Sequence, residues 1–142
     1  MAENDRMQIN FPQALQMLQQ ERASLEAIEI RLSNFSRILE ETLMVKETLV
    51  AMQTLDDLHI IMSIGAGVYA NVTLENTEKV KVTLGGGILK DDTLDNALKG
   101  LSNRQKEAET EIAKLQEERQ KIVTNLNSLN TVARQLAPRN PQ

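Results

Sequence analysis

Cysteine and tryptophan are absent from this chain, and other aromatic residues are scarce: one Tyr and two Phe among 142 residues. Without cysteine there is no disulfide, no thiolate nucleophile and no thiolate-ligated zinc site. The single histidine, His59, excludes any site built from several imidazoles. Few bulky rings remain to fill a globular core. We therefore expect a protein that is not an enzyme and that has no catalytic residue, no cofactor and no metal.

Positive charge is also in short supply, since 16 Lys and Arg are outweighed by 20 Asp and Glu. Nucleic-acid binding needs a concentrated basic footprint, so we expect no nucleic-acid partner. No stretch reaches the roughly 18 to 20 consecutive apolar residues that a membrane span requires, so we expect no membrane partner. The first ten residues are polar and lack the apolar run of a signal peptide, which favours a cytoplasmic location.

Proline and glycine punctuate the sequence. Proline is confined to the two outer parts of the chain, and five of the six glycines lie between Gly65 and Gly87. Long stretches on either side hold almost no helix breaker, so the order helix, β module, helix is predicted. We expect these parts to form one structural unit. The predicted bounds are 10–55 for the N-terminal helix, 56–91 for the β-hairpin module and 92–138 for the C-terminal helix.

A seven-residue repeat runs through both helical segments. In the first segment, nine of the twelve a and d positions are apolar. They are Phe11, Leu18, Leu25, Leu32, Leu39 and Lys46 at a, and Ala14, Glu21, Ile28, Phe35, Thr42 and Leu49 at d. In the second segment every d position is apolar, from Leu94 to Leu136. Such a repeat predicts a left-handed coiled coil. The expected fold is mainly α with a small β module: a long antiparallel two-helix coiled coil joined by two β-hairpins.

The heptad phase also predicts which residues face each other across the antiparallel pair. A turn centred on the β segment favours the register that pairs Leu18 with Leu129 and Leu25 with Ile122. The same register places Thr42 opposite Gln105, and we expect these two polar residues to hydrogen-bond to each other.

Three charged residues fall at core heptad positions: Glu21, Lys46 and Arg119. We expect their long side chains to extend out to solvent. The alternative is that they select the register or the oligomeric state.

The stretch from Leu58 to Lys90 loses the seven-residue repeat and alternates apolar with polar residues. Gly65-Ala-Gly67 and Gly85-Gly-Gly87 predict tight turns between four strands, the last a short one over 88–90. Two hairpins alone are marginal in water and leave strand edges unpaired, so we expect other chains to complete the sheet. The candidate oligomerisation residues are Ile60, Met62, Ile64, Val68, Val72, Val80, Val82 and Leu84.

The segment from Gly65 to Ala70 formally fits the dinucleotide-binding pattern G-x-G-x-x-G/A. That pattern holds a pyrophosphate only where a helix follows it, whereas the residues after Gly67 alternate like a strand. A nucleotide-binding enzyme is therefore not expected.

Apolar residues continue to the outer ends of both helical segments, where a coiled coil usually becomes polar. They either close the last layers of the coiled coil or capture other apolar chains. The residues alone leave both interpretations open. The candidate substrate-binding residues are Met7, Ile9, Phe11, Leu15, Leu18, Val132 and Leu136.

Three stretches carry a family resemblance: Ile61-Met-Ser-Ile-Gly-Ala-Gly67 with the strand after it, Val80 to Gly87, and Asp92-Thr-Leu-Asp-Asn-Ala-Leu98. Together they resemble the α-class subunit of prefoldin, and the resemblance covers nearly the whole chain. Two hairpins rather than one indicate the α class over the shorter β class. The archaeal type is expected.

The resemblance implies a hexamer of two α-class and four β-class prefoldin subunits, with the β module as the assembly surface. It also implies an ATP-independent holdase that captures unfolded client proteins and delivers them to a group II chaperonin. The candidate substrate-binding residues then become client contacts. The alternative is a structural or tethering coiled-coil subunit of a multi-protein assembly.

The double variant Leu25→Cys with Ile122→Cys tests the predicted register. We expect an intramolecular disulfide on mild oxidation, because a disulfide requires Cβ atoms about 3.5–4.5 Å apart and the predicted register brings these two positions nearest to each other. Mobility on a non-reducing gel measures the bond. Leu25→Cys with Leu115→Cys, one heptad away, is the control that should stay reduced. A reduced 25/122 pair would show that the register is wrong.

Overall fold

The computed structural model describes residues 8–139. Two long helices flank two β-hairpins in the order α1 (Phe11–Gln53), β1 (His59–Gly65), β2 (Val68–Thr73), β3 (Lys79–Gly85), β4 (Ile88–Thr93) and α2 (Leu94–Leu136). The predicted fold class is confirmed. The last strand is longer than predicted and α2 begins later, because polar residues of β4 pair with β3 as far as Thr93.

The chain divides into two compact units. Unit 1 contains the part of α1 up to residue 36 and the part of α2 from residue 110 onward. Unit 2, residues 37–109, contains the rest of both helices and both hairpins. Neither helix, over the residues that the structure describes, is long and apolar enough to cross a membrane.

Helix α1 begins at a reciprocal capping box. The Gln13 N–H donates to Asn10 Oδ1 at 2.9 Å, and the Asn10 N–H donates to Gln13 Oε1 at 3.0 Å. Pro12 is tolerated here because the first turn leaves backbone donors unpaired. Ile9 packs against the core cluster that contains Ala14, which fixes the entry of the chain into the helix. Asn10 is therefore the N-cap of α1.

The core of unit 1 is a seam of heptad positions from both helices. Its buried residues are Ala14, Leu18, Leu126, Leu129 and Ala133, with Ile9, Phe11, Leu25 and Ile122 packed against them. This cluster holds both members of the predicted pairs Leu18–Leu129 and Leu25–Ile122, so the packing agrees with the antiparallel register. Full burial of a leucine contributes about 1.5–3 kcal/mol.

A polar layer in unit 2 differs from its prediction. Thr42 is buried, and its Oγ1 donates to the Ile38 carbonyl at 2.7 Å within the same helix. Gln105 Oε1 accepts a hydrogen bond from Lys46 Nζ at 2.7 Å, and its Nε2 donates to Glu109. The predicted bond between Thr42 and Gln105 was wrong, because a helical threonine can satisfy its hydroxyl on the carbonyl one turn earlier.

The charged core positions behave differently from one another. Lys46 is half-buried and bonds across the helix pair instead of extending to solvent. The expectation that its side chain extends to solvent was therefore wrong for Lys46, and its role in selecting the register stays a prediction. Arg119 is exposed and pairs with Glu29 at 3.2 Å, as expected for a side chain that extends outward.

The hairpin β3–β4 packs on the helices of unit 2. The buried residues Leu49, Leu94 and Ala97 form the cluster, and Val80 and Val82 of β3 pack against it. The amino end of α2 is capped by Thr93, whose Oγ1 accepts a hydrogen bond from the Asn96 N–H. The second hairpin is therefore fixed to its own helices through one apolar face.

Each hairpin has three consecutive residues of positive φ at its turn, 65–67 in the first and 85–87 in the second. The two central turn residues are Ala66 (51°) and Gly67 (76°) in the first hairpin, and Gly86 (59°) and Gly87 (76°) in the second. Positive φ at both central residues is the geometry of a type I′ turn, whose twist matches that of the strands. Ala66 is the only residue other than glycine with positive φ in the described range 8–139.

The variants Ala66→Gly and Gly86→Ala test whether a side chain at the first central turn position destabilises the hairpin. We expect Ala66→Gly to raise the free energy of unfolding by about 1 kcal/mol, because a Cβ is disfavoured in the left-handed region. Gly86→Ala should lower it by about the same amount, since no atom lies within 4 Å of the added Cβ and only conformation changes. Urea denaturation followed by circular dichroism measures both. Shifts of the same sign in the two variants would contradict the turn assignment.

Candidate functional site

The first candidate surface lies at the end of unit 1 where α1 begins and α2 ends. We name it the end surface, and it consists of Ile9, Phe11, Leu15, Met17, Val132 and Leu136. Leu15, Met17 and Leu136 are 39–44% exposed, and the other three are half-buried. Leu15 follows a core d position, whereas Met17 and Val132 precede core a positions. Leu15, Met17 and Val132 therefore flank the seam and stay partly in water.

The predicted substrate-binding residues fall into three groups. Met7 lies outside the described residues. Leu18 is 6% exposed and packs in the core cluster, because its a position points into the seam. The other five belong to the end surface. Sequence reasoning left out Met17, although its position next to Leu18 in the heptad was the signal that could have identified it.

The second candidate surface lies on the hairpins of unit 2. We name it the hairpin surface, and it consists of Ile61, Met62, Ile64, Val68, Tyr69, Leu84, Ile88 and Leu89. Each of these side chains is between 48% and 71% exposed. Monomeric proteins rarely leave so many large apolar residues together in water, so such a patch marks a protein-interaction site.

Only half of the predicted oligomerisation residues lie on the hairpin surface: Met62, Ile64, Val68 and Leu84. Ile60 and Val72 face each other across β1 and β2 and are half-buried. Val80 and Val82 pack against the helices of their own unit.

Four residues of the hairpin surface were missed by the sequence reasoning: Ile61, Tyr69, Ile88 and Leu89. Strand β1 is apolar at three consecutive positions, 60–62, so alternation did not determine which face is exposed. Tyr69 pairs with Ser63 and Leu89 pairs with Thr83. These pairings depend on the strand register, which only the structure shows.

The strand edges of the hairpins are open to a partner. Among the described residues, β1 pairs with β2 and β3 with β4, as two separate two-stranded sheets. Each strand therefore keeps one edge of N–H and C=O groups without a strand partner. Such an edge is a template for pairing with another chain.

Charges on the hairpins pair with one another at exposed positions. Lys81 Nζ lies 2.6 Å from Asp91 Oδ1 across β3 and β4. The hydrogen bond and opposite charge raise the pKa of Lys81 and lower that of Asp91. Hydrogen bonds from the backbone N–H and ring of His59 lower the pKa of Asp57. Each shift moves its group away from neutral pH, which is not the tuning that acid–base catalysis needs.

No group of three His, Cys, Asp or Glu residues that could hold a metal ion occurs between residues 8 and 139. What the described residues present is a pair of apolar surfaces, one in each unit, suited to contact with other proteins.

Comparison with known proteins agrees with this organisation. The Prefoldin family model, described as a prefoldin subunit, matches residues 11–139. The chain is 29% identical over 123 residues to a prefoldin subunit alpha of Archaeoglobus fulgidus, covering 86% of this chain and 82% of that protein. It is 29% identical over 90 residues to a prefoldin subunit alpha of Methanobrevibacter smithii, covering 63% of this chain and 62% of that protein.

The fold is similar to a chain in the cryo-EM structure of a filamentous PFD from Methanocaldococcus jannaschii. The TM-score is 0.67 at 17% identity, and the match covers 80% of this chain and 95% of that chain. The family match, the two α-class relatives and the pair of hairpins lead to one conclusion. The chain belongs to the prefoldin family of chaperone subunits, as an α-class subunit of the archaeal type.

Proposed function

We propose that this chain is a subunit of an ATP-independent holdase that captures unfolded proteins at the end surface and delivers them to a group II chaperonin. The observation that carries the proposal is the exposure of Leu15, Met17 and Leu136 where the helix pair of unit 1 ends. These apolar side chains are partly in water, and the free energy falls when another apolar chain covers them.

The geometry of the end surface suits weak and unselective binding. Its residues flank the seam or form its last layer instead of lining an enclosed cavity, so no particular client shape is favoured. Met17 adds a flexible side chain that adapts to different partners. Several such surfaces in one assembly would hold a client through avidity, although each contact is weak. Competition from the chaperonin can then release the client without nucleotide hydrolysis.

The hairpin surface supports the second part of the proposal, which concerns assembly. Two copies of this chain join four β-class prefoldin subunits in a cytoplasmic hexamer, with the hairpins forming its body. Exposed apolar residues and open strand edges occur together on this module, and both need a protein partner.

The variant Leu15→Ser with Leu136→Ser tests capture at the end surface. We expect a roughly tenfold lower apparent affinity for denatured client proteins, because two partly exposed leucines lose about 1.4 kcal/mol of apolar contact with the client in total. Light scattering during dilution of an unrelated denatured protein measures the effect. Phe11 is left unchanged because it packs against the core cluster.

Ile30→Ser is the matched control, since Ile30 is an exposed apolar residue of α1 in unit 1 and lies outside the end surface. It should suppress aggregation as the unaltered chain does. Gel filtration should show the same assembly for all variants. Full suppression by the double variant would contradict capture at this surface. Failure of the unaltered assembly to protect any unrelated protein would favour the tethering alternative.

A further inference from the structure

Both helix ends in unit 1 have long stretches without charge. No Asp, Glu, Lys or Arg occurs over residues 8–20 or 122–133, although charged residues make up 25% of the chain. The polar residues of these stretches are mostly amides: Gln8, Asn10, Gln13, Gln16, Gln19, Gln20, Asn125, Asn127 and Asn130. A solvated helix face is usually charged, so this pattern calls for an explanation of its own.

A shallow groove lies beside the first turns of α1. Two apolar side chains, Ile9 and Met17, line it together with four amide side chains, Gln8, Gln13, Gln16 and Gln20. The amide of Gln13 is used in the capping box. Among the described residues, the side chains of Gln16 and Gln20 have no hydrogen-bond partner, and both are exposed. Two amides are therefore available next to an apolar contact.

The spacing of Gln16 and Gln20 matches an extended polypeptide. Residues four apart on a helix have Cβ atoms about 5–6 Å apart. In an extended chain, backbone groups that face the same side recur every two residues, at about 6.6–6.8 Å. Flexible glutamine side chains can span the small difference. Each amide offers a donor and an acceptor, which is what one residue of free backbone needs.

Free backbone distinguishes unfolded proteins from folded ones. In a folded protein nearly all backbone N–H and C=O groups are already paired, so a second partner gains little. In an unfolded chain they are exposed whatever the side chains are. Amides can pair with such groups without attracting or repelling the charges of a client, and with little dependence on salt.

We propose that Gln16 and Gln20 hydrogen-bond to the backbone of an extended, uncharged apolar segment whose side chains rest on Ile9 and Met17. This rests on the proposed capture function and specifies its ligand. The groove on α1 recognises unfolded backbone as well as apolar side chains, and with no charged residue in its lining it is indifferent to the net charge of the client.

Two fluorescent peptide probes test the proposal on the full chain in its purified assembly. One is a short, uncharged, apolar peptide, and the other is the same peptide methylated on every backbone nitrogen, which removes the donors from both edges of the extended chain. We expect the methylated probe to bind about tenfold more weakly, the equivalent of two lost hydrogen bonds, one for each glutamine. Fluorescence anisotropy at low and high salt measures both affinities, and salt should change neither by much.

The variant Gln16→Met with Gln20→Met separates amide pairing from apolar contact. Methionine keeps the length of glutamine and is more apolar, so a purely apolar surface would bind the unmethylated probe more tightly. We expect the opposite, an affinity about tenfold lower, with the difference between the two probes lost. Gln116→Met with Gln120→Met, on exposed positions of α2 in unit 1 at the same spacing, is the control and should leave both affinities unchanged.

The outcomes distinguish this inference from the function on which it rests. Equal binding of both probes by the unaltered assembly, or tighter binding by the methionine variant, overturns the role of the amides and leaves capture intact. Binding of neither probe overturns capture and the amide role together. Circular dichroism is the folding control. Each variant should keep its helices, because the substitutions lie on the helix surface.

Discussion

Burial of aliphatic side chains along one seam between two helices is the interaction on which the rest of this chain depends. Each helix has 43 residues, and such lengths owe their stability in a protein to packing rather than to helix propensity. With so few aromatic residues, the seam is built from Leu, Ile and Ala. It covers only one stripe of each helix, so apolar residues that flank it must stay partly in water. The end surface is therefore a direct consequence of the seam.

The hairpins show the same constraint in a different form. In unit 2 the cluster of Leu49, Leu94 and Ala97 covers only one face of β3, through Val80 and Val82. The residues of the hairpin surface remain largely exposed, and one edge of every strand has no strand partner among the described residues. A module of two separate two-stranded sheets is marginal by itself. Under the proposed function, the stability of this module and the assembly of the chain are therefore linked, because partner strands would complete the sheets.

The positions of glycine and proline and the seven-residue repeat were sufficient to predict the architecture. Glycine and proline determine where helices can end, and the repeat determines which face of each helix is apolar. Side-chain choices were less predictable. Thr42 had two possible acceptors, and its hydroxyl bonds to the Ile38 carbonyl of its own helix. Leu18 was grouped with its neighbours in sequence, whereas its a position buries it. Ile61 and Tyr69 were not predicted, because β1 is apolar at three consecutive positions, 60–62. Only the structure shows which residues remain exposed.

Native mass spectrometry of the tagged chain, recovered from its own host, tests the central claim that this chain functions within a mixed prefoldin assembly. The account predicts a hexamer that contains two copies of this chain and four of a shorter coiled-coil subunit. A lone monomer or a simple dimer would contradict it, because the hairpin surface would then have no β-class partner.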